Sequence, residues 1–185
     1  MEPVLSLALP GTNWDSESLQ NPDPRAVVPE QYDREYVALR RYALFLGTDA
    51  ETSEDLVQEG FLKLHQHLLA GGDRSNLRAW LYRVIHNLVR NRQSAAVSGH
   101  SGLGELAKAA EPVAMTASPE AKLLAQERET SLARAMAALP AAQRECLGLR
   151  AQGLKYREIA DVLGLSISTI AENVQRGLET VRKAL

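Results

Sequence analysis

The sequence predicts an all-α protein, two small helical domains joined by a flexible linker. Three observations point there. Apolar residues fill 45% of the 185 positions while aromatics fill only 5%, a mix suited to aliphatic packing between helices and not to a β-sandwich. Apolar positions recur at intervals of three and four through two long stretches, which is the helical period. Between those stretches, residues 94–118 turn to Ser, Gly and Ala, with Gly99, Gly102, Gly104 and Pro112, the composition of a flexible connection.

Residues 1–30 hold Pro3, Pro10, Pro22, Pro24 and Pro29 without sustained periodicity, and a mobile tail is expected there. The first helical domain spans 31–93. Tyr32, Tyr36, Leu39, Ala43 and Leu46 lie at helical spacing, and Gly47 supplies a stop. Thr52 or Ser53 is the expected N-cap of the next helix, with Glu54 and Asp55 well placed against the helix dipole. Its inward stripe is Val57, Phe61, Leu64 and Leu68. Gly71-Gly72-Asp73 breaks that run, and Asn76 can cap a third helix with Leu77, Leu81, Val84 or Ile85, and Leu88 facing inward.

After the linker, Ser118 and Pro119 suit the N-cap and N1 positions of a helix. Helices are expected over 120–138, 141–152, 156–163 and 167–183 of a second domain, 119–185. Ile159, Ala160 and Leu163 form one face of a two-turn helix, and Gly164 can end it in the left-handed conformation. Leu165 is expected to plug the turn, and Ser166 to cap the next helix by accepting from the Thr169 amide. Ile170, Val174, Leu178, Val181 and Leu185 then form an inward stripe. A short helix, a tight turn and a longer helix describe a helix-turn-helix whose second helix enters a DNA major groove. Its outward residues are Ser168, Thr169, Ala171, Glu172, Asn173, Gln175 and Arg176.

Charge limits what such a helix can do alone. The formal net charge is −2, against a free-standing, tight nucleic-acid binder. The tail 1–30 carries −4, residues 31–93 carry +1, 94–118 carry −1 and 119–185 carry +2. Counterion release scales with the phosphates neutralised, so a helix whose outer face offers Arg176 as its one cation binds weakly and with strong salt sensitivity. The helix needs help from the rest of the chain.

Other classes find little support. Cys146 stands alone, which excludes an internal disulfide and fits a reducing cytoplasm. The N-terminus lacks a basic stretch followed by an apolar one, so no secretory signal is expected. No window nears the roughly 18 apolar residues of a membrane span. His65, His67, His86 and His100 invite a metal reading, but His65 and His67 diverge on a helix and no Cys or carboxylate cluster joins them. With no Gly-rich phosphate loop and no nucleophile–base pair, neither an enzyme, a cofactor nor a small-molecule substrate is expected.

Residues 138–178, "ALPAAQRECLGLRAQGLKYREIADVLGLSISTIAENVQRGL", resemble the C-terminal domain of a bacterial RNA polymerase sigma factor of the extracytoplasmic-function group. Upstream, "SEDLVQEGFLKLHQHL" (53–68) and "NLRAWLYRVIHNLVRNRQ" (76–93) resemble the same family's other domain. The resemblance implies core polymerase and promoter DNA as partners, and similar proteins commonly have an anti-sigma protein as well. It implies that Asp55, Gln58, Glu59 and Lys63, with Gln66 on the same polar strip, dock the clamp helices of the polymerase's largest subunit. It implies that Arg74, Asn76, Trp80, Tyr82, Arg83, Asn87 and Arg90 serve the melted −10 element, with a base pocket in the loop 70–76. On the third helix Arg78, Tyr82, Arg83, His86, Asn87, Arg90 and Asn91 are read as outward, able to follow phosphates and stack on bases. The linker would pass through the polymerase cleft.

The chain departs from its relatives at Ala171 and Asn173, where they commonly carry basic residues, while Arg176 matches. A −35 contact that differs from theirs is expected. Tethering on polymerase would raise the effective concentration of the second DNA contact and make a weak helix sufficient. The alternative is a helix-turn-helix regulator that works without core polymerase. It leaves the polar strip and the aromatic-basic helix unexplained.

Overall fold

The computed structural model describes residues 23–98 and 119–184, which form seven helices and no strand. They are α1 (Pro24–Phe45), α2 (Ala50–Leu69), α3 (Leu77–Ser98), α4 (Pro119–Ala137), α5 (Ala141–Ala151), α6 (Tyr156–Leu163) and α7 (Ile167–Ala184).

Helix α1 begins earlier than the proline-rich composition suggests. Asp23 accepts from the Arg25 amide at 2.9 Å, and Pro24 occupies the first turn, where a missing N–H costs nothing. Pro29 lies inside the helix and Val27 is buried, so part of the expected tail belongs to the domain. Helix α3 likewise runs to Ser98, past the expected start of the linker. The remaining expectations for the tail and linker, 1–22 and 99–118, lie outside the described residues.

The α2 cap is Asp49, not Thr52 or Ser53. Its carboxylate accepts from the Thr52 amide at 2.7 Å and the Thr52 hydroxyl at 2.8 Å. These two hydrogen bonds hold the Asp49 carboxyl below its ordinary pKa. Thr52 and Ser53 are buried in the first turn of α2. For α3, the expected cap holds: the Asn76 side chain accepts from the Ala79 amide at 3.0 Å. Helices α1, α2 and α3 pack around Leu39, Tyr42, Val57, Leu64, Leu81 and Ile85. Fully burying each of these large side chains contributes roughly 1.5–3 kcal/mol before entropy is counted.

The second helical group follows the expected boundaries closely. Gly164 ends α6 at φ 66° and ψ 31°, in the left-handed region. Ser166 Oγ accepts from the Thr169 amide at 3.1 Å. Helices α5, α6 and α7 close on Leu149, Leu154, Ile159, Ile170 and Val174, with α4 laid along α7. Two side chains depart from expectation. Leu165 is exposed and does not plug the turn. The α7 stripe passes through Gly177 and leaves Leu178 56% exposed. The cause is a close crossing: a Cβ on Gly177 would stand 2.9 Å from Leu147 Cδ1, so α5 claims that turn of α7.

The two groups do not stand apart. Helix α6 packs on α3, and α5 touches α1. The buried apolar residues form one continuous set that includes members of both.

Candidate nucleic-acid interface

On α2 the apolar stripe Val57, Phe61, Leu64 and Leu68 is buried as expected. The opposite face carries Asp55, Gln58, Glu59 and Gln66, all exposed, with Lys63 at its edge bridged to Glu59 at 3.3 Å. Two apolar side chains share this face, Leu62 at 57% and Leu69 at 64% exposure. The sequence reading missed them. Their signal lay in the spacing, since Asp55, Leu62, Gln66 and Leu69 repeat at seven, four and three, one helical stripe.

The third-helix residues named above divide by burial. Arg83 and Asn87 are exposed, with Arg90 a turn further on the same side. This is the cationic, amide-bearing stripe that can follow a strand's phosphates. Tyr82 and His86, read as outward, are instead buried. The Tyr82 ring meets Tyr42 edge-on at 5.3 Å between centroids and carries Arg78 over its face at 5.7 Å. Burial pushes its hydroxyl up to about 12. His86 Nδ1 shares a 3.0 Å hydrogen bond with the Tyr42 hydroxyl, and burial, aided by Arg90, lowers its pKa to about 4. The helical pattern could not show this, because the elements covering these two side chains come from elsewhere in the chain.

The loop before α3 is pinned internally. Asp73 accepts from the Ser75 amide at 2.9 Å and the Ser75 hydroxyl at 2.7 Å, which depresses the Asp73 pKa. His67 Nε2 lies 2.9 Å from the Asp73 carbonyl oxygen, and the His67 ring stacks on Trp80 at 4.7 Å. His67 thus fastens the loop to α3 through Trp80, which is half-buried. Arg74 lies in this loop. Asn76, besides capping α3, donates to Glu158 Oε1 at 2.7 Å. Arg90 pairs with Glu145 at 3.1 Å.

On α7 the hydroxyls of Ser166, Ser168 and Thr169 cluster within 2.7–2.8 Å at the helix start. Ser168, Glu172, Gln175 and Arg176 are exposed and Thr169, Ala171 and Asn173 half-buried. Arg176 is bonded to Glu172 one turn earlier. Such exposed pairs are worth only a few tenths of a kcal/mol, so a phosphate can displace the glutamate. Arg182 and Lys183 stand in the last turn, more cations than the recognition segment alone supplied. Among the described residues, no three His, Cys, Asp or Glu side chains converge as a metal site would require. None of the described helices is long and apolar enough to cross a membrane.

Comparison with known proteins accounts for both helical groups. Residues 31–96 match the family described as Sigma-70 region 2, and residues 129–181 match Sigma-70, region 4. The RNA polymerase sigma-H factor of Pseudomonas aeruginosa is 30% identical over 144 residues, covering 74% of this chain and 75% of that protein. The extracytoplasmic-function sigma factor SigL of Mycobacterium tuberculosis is 28% identical over 166 residues, 86% of this chain and 89% of its own. A probable sigma factor of Xanthomonas campestris, RfaY, is 32% identical over 77% of this chain, which spans 36% of that longer protein. Among solved structures, the sigma factor RpoE bound to the anti-sigma factor NepR from Bartonella quintana superposes with a TM-score of 0.57 at 26% identity, over 84% of this chain and 94% of that one. A free-standing regulator would have no use for the region 2 match, and no catalytic family is indicated. The chain belongs to the RNA polymerase sigma factors of the extracytoplasmic-function group.

Proposed function

We propose that this sigma factor divides promoter engagement among three faces. The α2 strip of Asp55, Gln58, Glu59 and Lys63, anchored by Leu62 and Leu69, docks core polymerase. The α3 stripe of Arg83, Asn87 and Arg90, with Asn76, Trp80 and the loop 70–76 that holds Arg74, receives the −10 strand. The start of α7, from Ser168 to Arg176, meets the −35 duplex. The helical groups of residues 24–98 and 119–184 act as the two working units. The observation that supports this reading most is the α2 face, where exposed leucines sit among carboxylates and amides opposite a fully buried stripe. Tyr82 would act by supporting Arg78 and not by stacking on a base, since it is buried.

The protein works as a binding factor and not as an enzyme, in the cytoplasm where polymerase and promoter meet. Weak DNA contacts suffice there because docking on polymerase replaces free concentration with tethering. The test is reconstitution. Core polymerase with this chain should yield transcripts whose start sites share upstream hexamers, and the two should comigrate stoichiometrically. Absence of both overturns the reading.

A further inference from the structure

We infer that His67 is a positioning residue for strand capture, its imidazole clamping the loop 70–76 and the Trp80 ring into one shape before DNA arrives. The inference rests on the −10 assignment of that loop above and deepens it. It is carried by what converges on one side chain. His67 lies in the last turn of α2, and the chain leaves that helix through Gly71 at φ 74°, in the left-handed region. The Gly71 amide donates to the Leu68 carbonyl oxygen at 3.2 Å, and the Gly72 amide to the His67 carbonyl oxygen at 2.8 Å. This pair of hydrogen bonds folds the chain back over the helix end and lays Gly72 against the His67 ring.

Three contacts meet on that imidazole. Its Nε2 donates to the Asp73 carbonyl oxygen at 2.9 Å, since a carbonyl only accepts. The ring stacks on Trp80, with centroids 4.7 Å apart and planes 26° from parallel. At Gly72, an added Cβ would collide with Cε1, Nδ1 and Nε2 of His67, the three atoms nearest to it. Gly72 has no positive φ, so the imidazole and not the backbone excludes a side chain there. The other loop contacts are local: Asp73 holds Ser75, and Asn76 caps α3. His67 reaches across from α2 and ties loop backbone and α3 indole together.

This tie bears on how a base is received. A base leaving the duplex loses its stacking and pairing. A loop that must be ordered at the same moment adds an entropic cost, which a clamped loop avoids. His67 also restricts Trp80. The imidazole covers one face of the indole, so an unpaired base that stacks there must take the opposite face. Gln66 and Leu69, exposed on the same turn of α2, keep the clamped loop in register with the proposed docking face.

The test uses holoenzyme, core polymerase with the full chain, on a promoter identified by start-site mapping. A Trp14→Phe background leaves Trp80 as the one tryptophan. His67→Ala should slow open-complex formation about tenfold, the scale of one lost hydrogen bond. Core affinity and closed-complex affinity should match wild type, and Trp80 emission of the free chain should move to longer wavelength. Gly72→Ala should do the same with His67 present, by pushing the ring aside. The double variant should be no slower than either single one, because both remove the same clamp. His67→Phe, which keeps a ring on Trp80 without the donor, should recover part of the rate. A wild-type opening rate in either single variant overturns the role, as does a double variant whose losses add. Equal losses in core affinity and opening rate would mark His67 as merely structural and overturn it too. A photocrosslinker on Ala70→Cys, an exposed loop position, reads the −10 assignment separately. A crosslink to the −10 strand with unaltered rates faults His67 alone, whereas no crosslink faults the assignment beneath it.

Discussion

The Tyr42 hydroxyl and His86 Nδ1 share a 3.0 Å hydrogen bond inside the N-terminal core, linking α1 to α3. Both residues are almost fully buried, His86 at 6% exposure. The pair has a consequence for acid stability. Burial lowers the His86 pKa from 6.5 to about 4, so between those values the unfolded chain binds a proton that the folded chain refuses. Stability is therefore fully present above pH 6.5 and falls as pH drops toward 4, by up to about 3 kcal/mol. Urea unfolding at pH 7.0 and 5.0 should show the loss in wild type, and His86→Gln, which keeps a hydrogen-bonding group beside Tyr42, should flatten the difference. Equal pH dependence in both proteins would refute the assignment.

The turn between α6 and α7 offers a stability test free of function. Gly164 holds φ 66° with open space around its Cα, so Gly164→Ala adds no clash but places a Cβ in the left-handed region. A loss of about 1–2 kcal/mol is expected by chemical denaturation.

Leu62 and Leu64 lie two residues apart on α2 with opposite fates, 57% exposed and fully buried. Leu64→Ala should destabilise the fold by roughly 2–5 kcal/mol. Leu62→Ala should leave the melting curve in place and weaken core polymerase binding, as should Gln58→Ala with Glu59→Ala. Normal core affinity in the folded variants would sink the docking face, and equilibrium titration against labelled core reads it.

Arg176→Ala should weaken upstream duplex contact without affecting core binding. If the guanidinium meets one phosphate, the slope of log affinity against log salt should fall by about one unit. Because Glu172 holds Arg176 in the free chain, Glu172→Gln should act in the opposite direction. Promoter binding by the assembled holoenzyme across a salt series checks both.

Much of this architecture was legible because helices are local. The boundaries of α5, α6 and α7, the Ser166 cap and the Gly164 stop were set by residues within one turn of each feature. The α2 cap was misplaced because Asp49, Thr52 and Ser53 are all capping residues, and only the geometry shows Asp49 accepting from Thr52. Pro24 and Pro29 read as tail by composition, yet one starts α1 and the other is carried within it.

The sequence by itself determined an all-α chain, the inward stripe of α2, the helix-turn-helix and, through its two motifs, the family. Those properties depend on periodicity and caps, which act over a few residues. Tertiary structure alone decided that Tyr82 and His86 are buried, that Leu62 and Leu69 stand uncovered, and that Leu178 yields its place to Gly177. Such outcomes depend on which distant surface covers a helix face, and a helix carries no local record of its neighbour. The pairing of Arg90 with Glu145, 55 positions apart in the chain, exists only once the two helical groups meet.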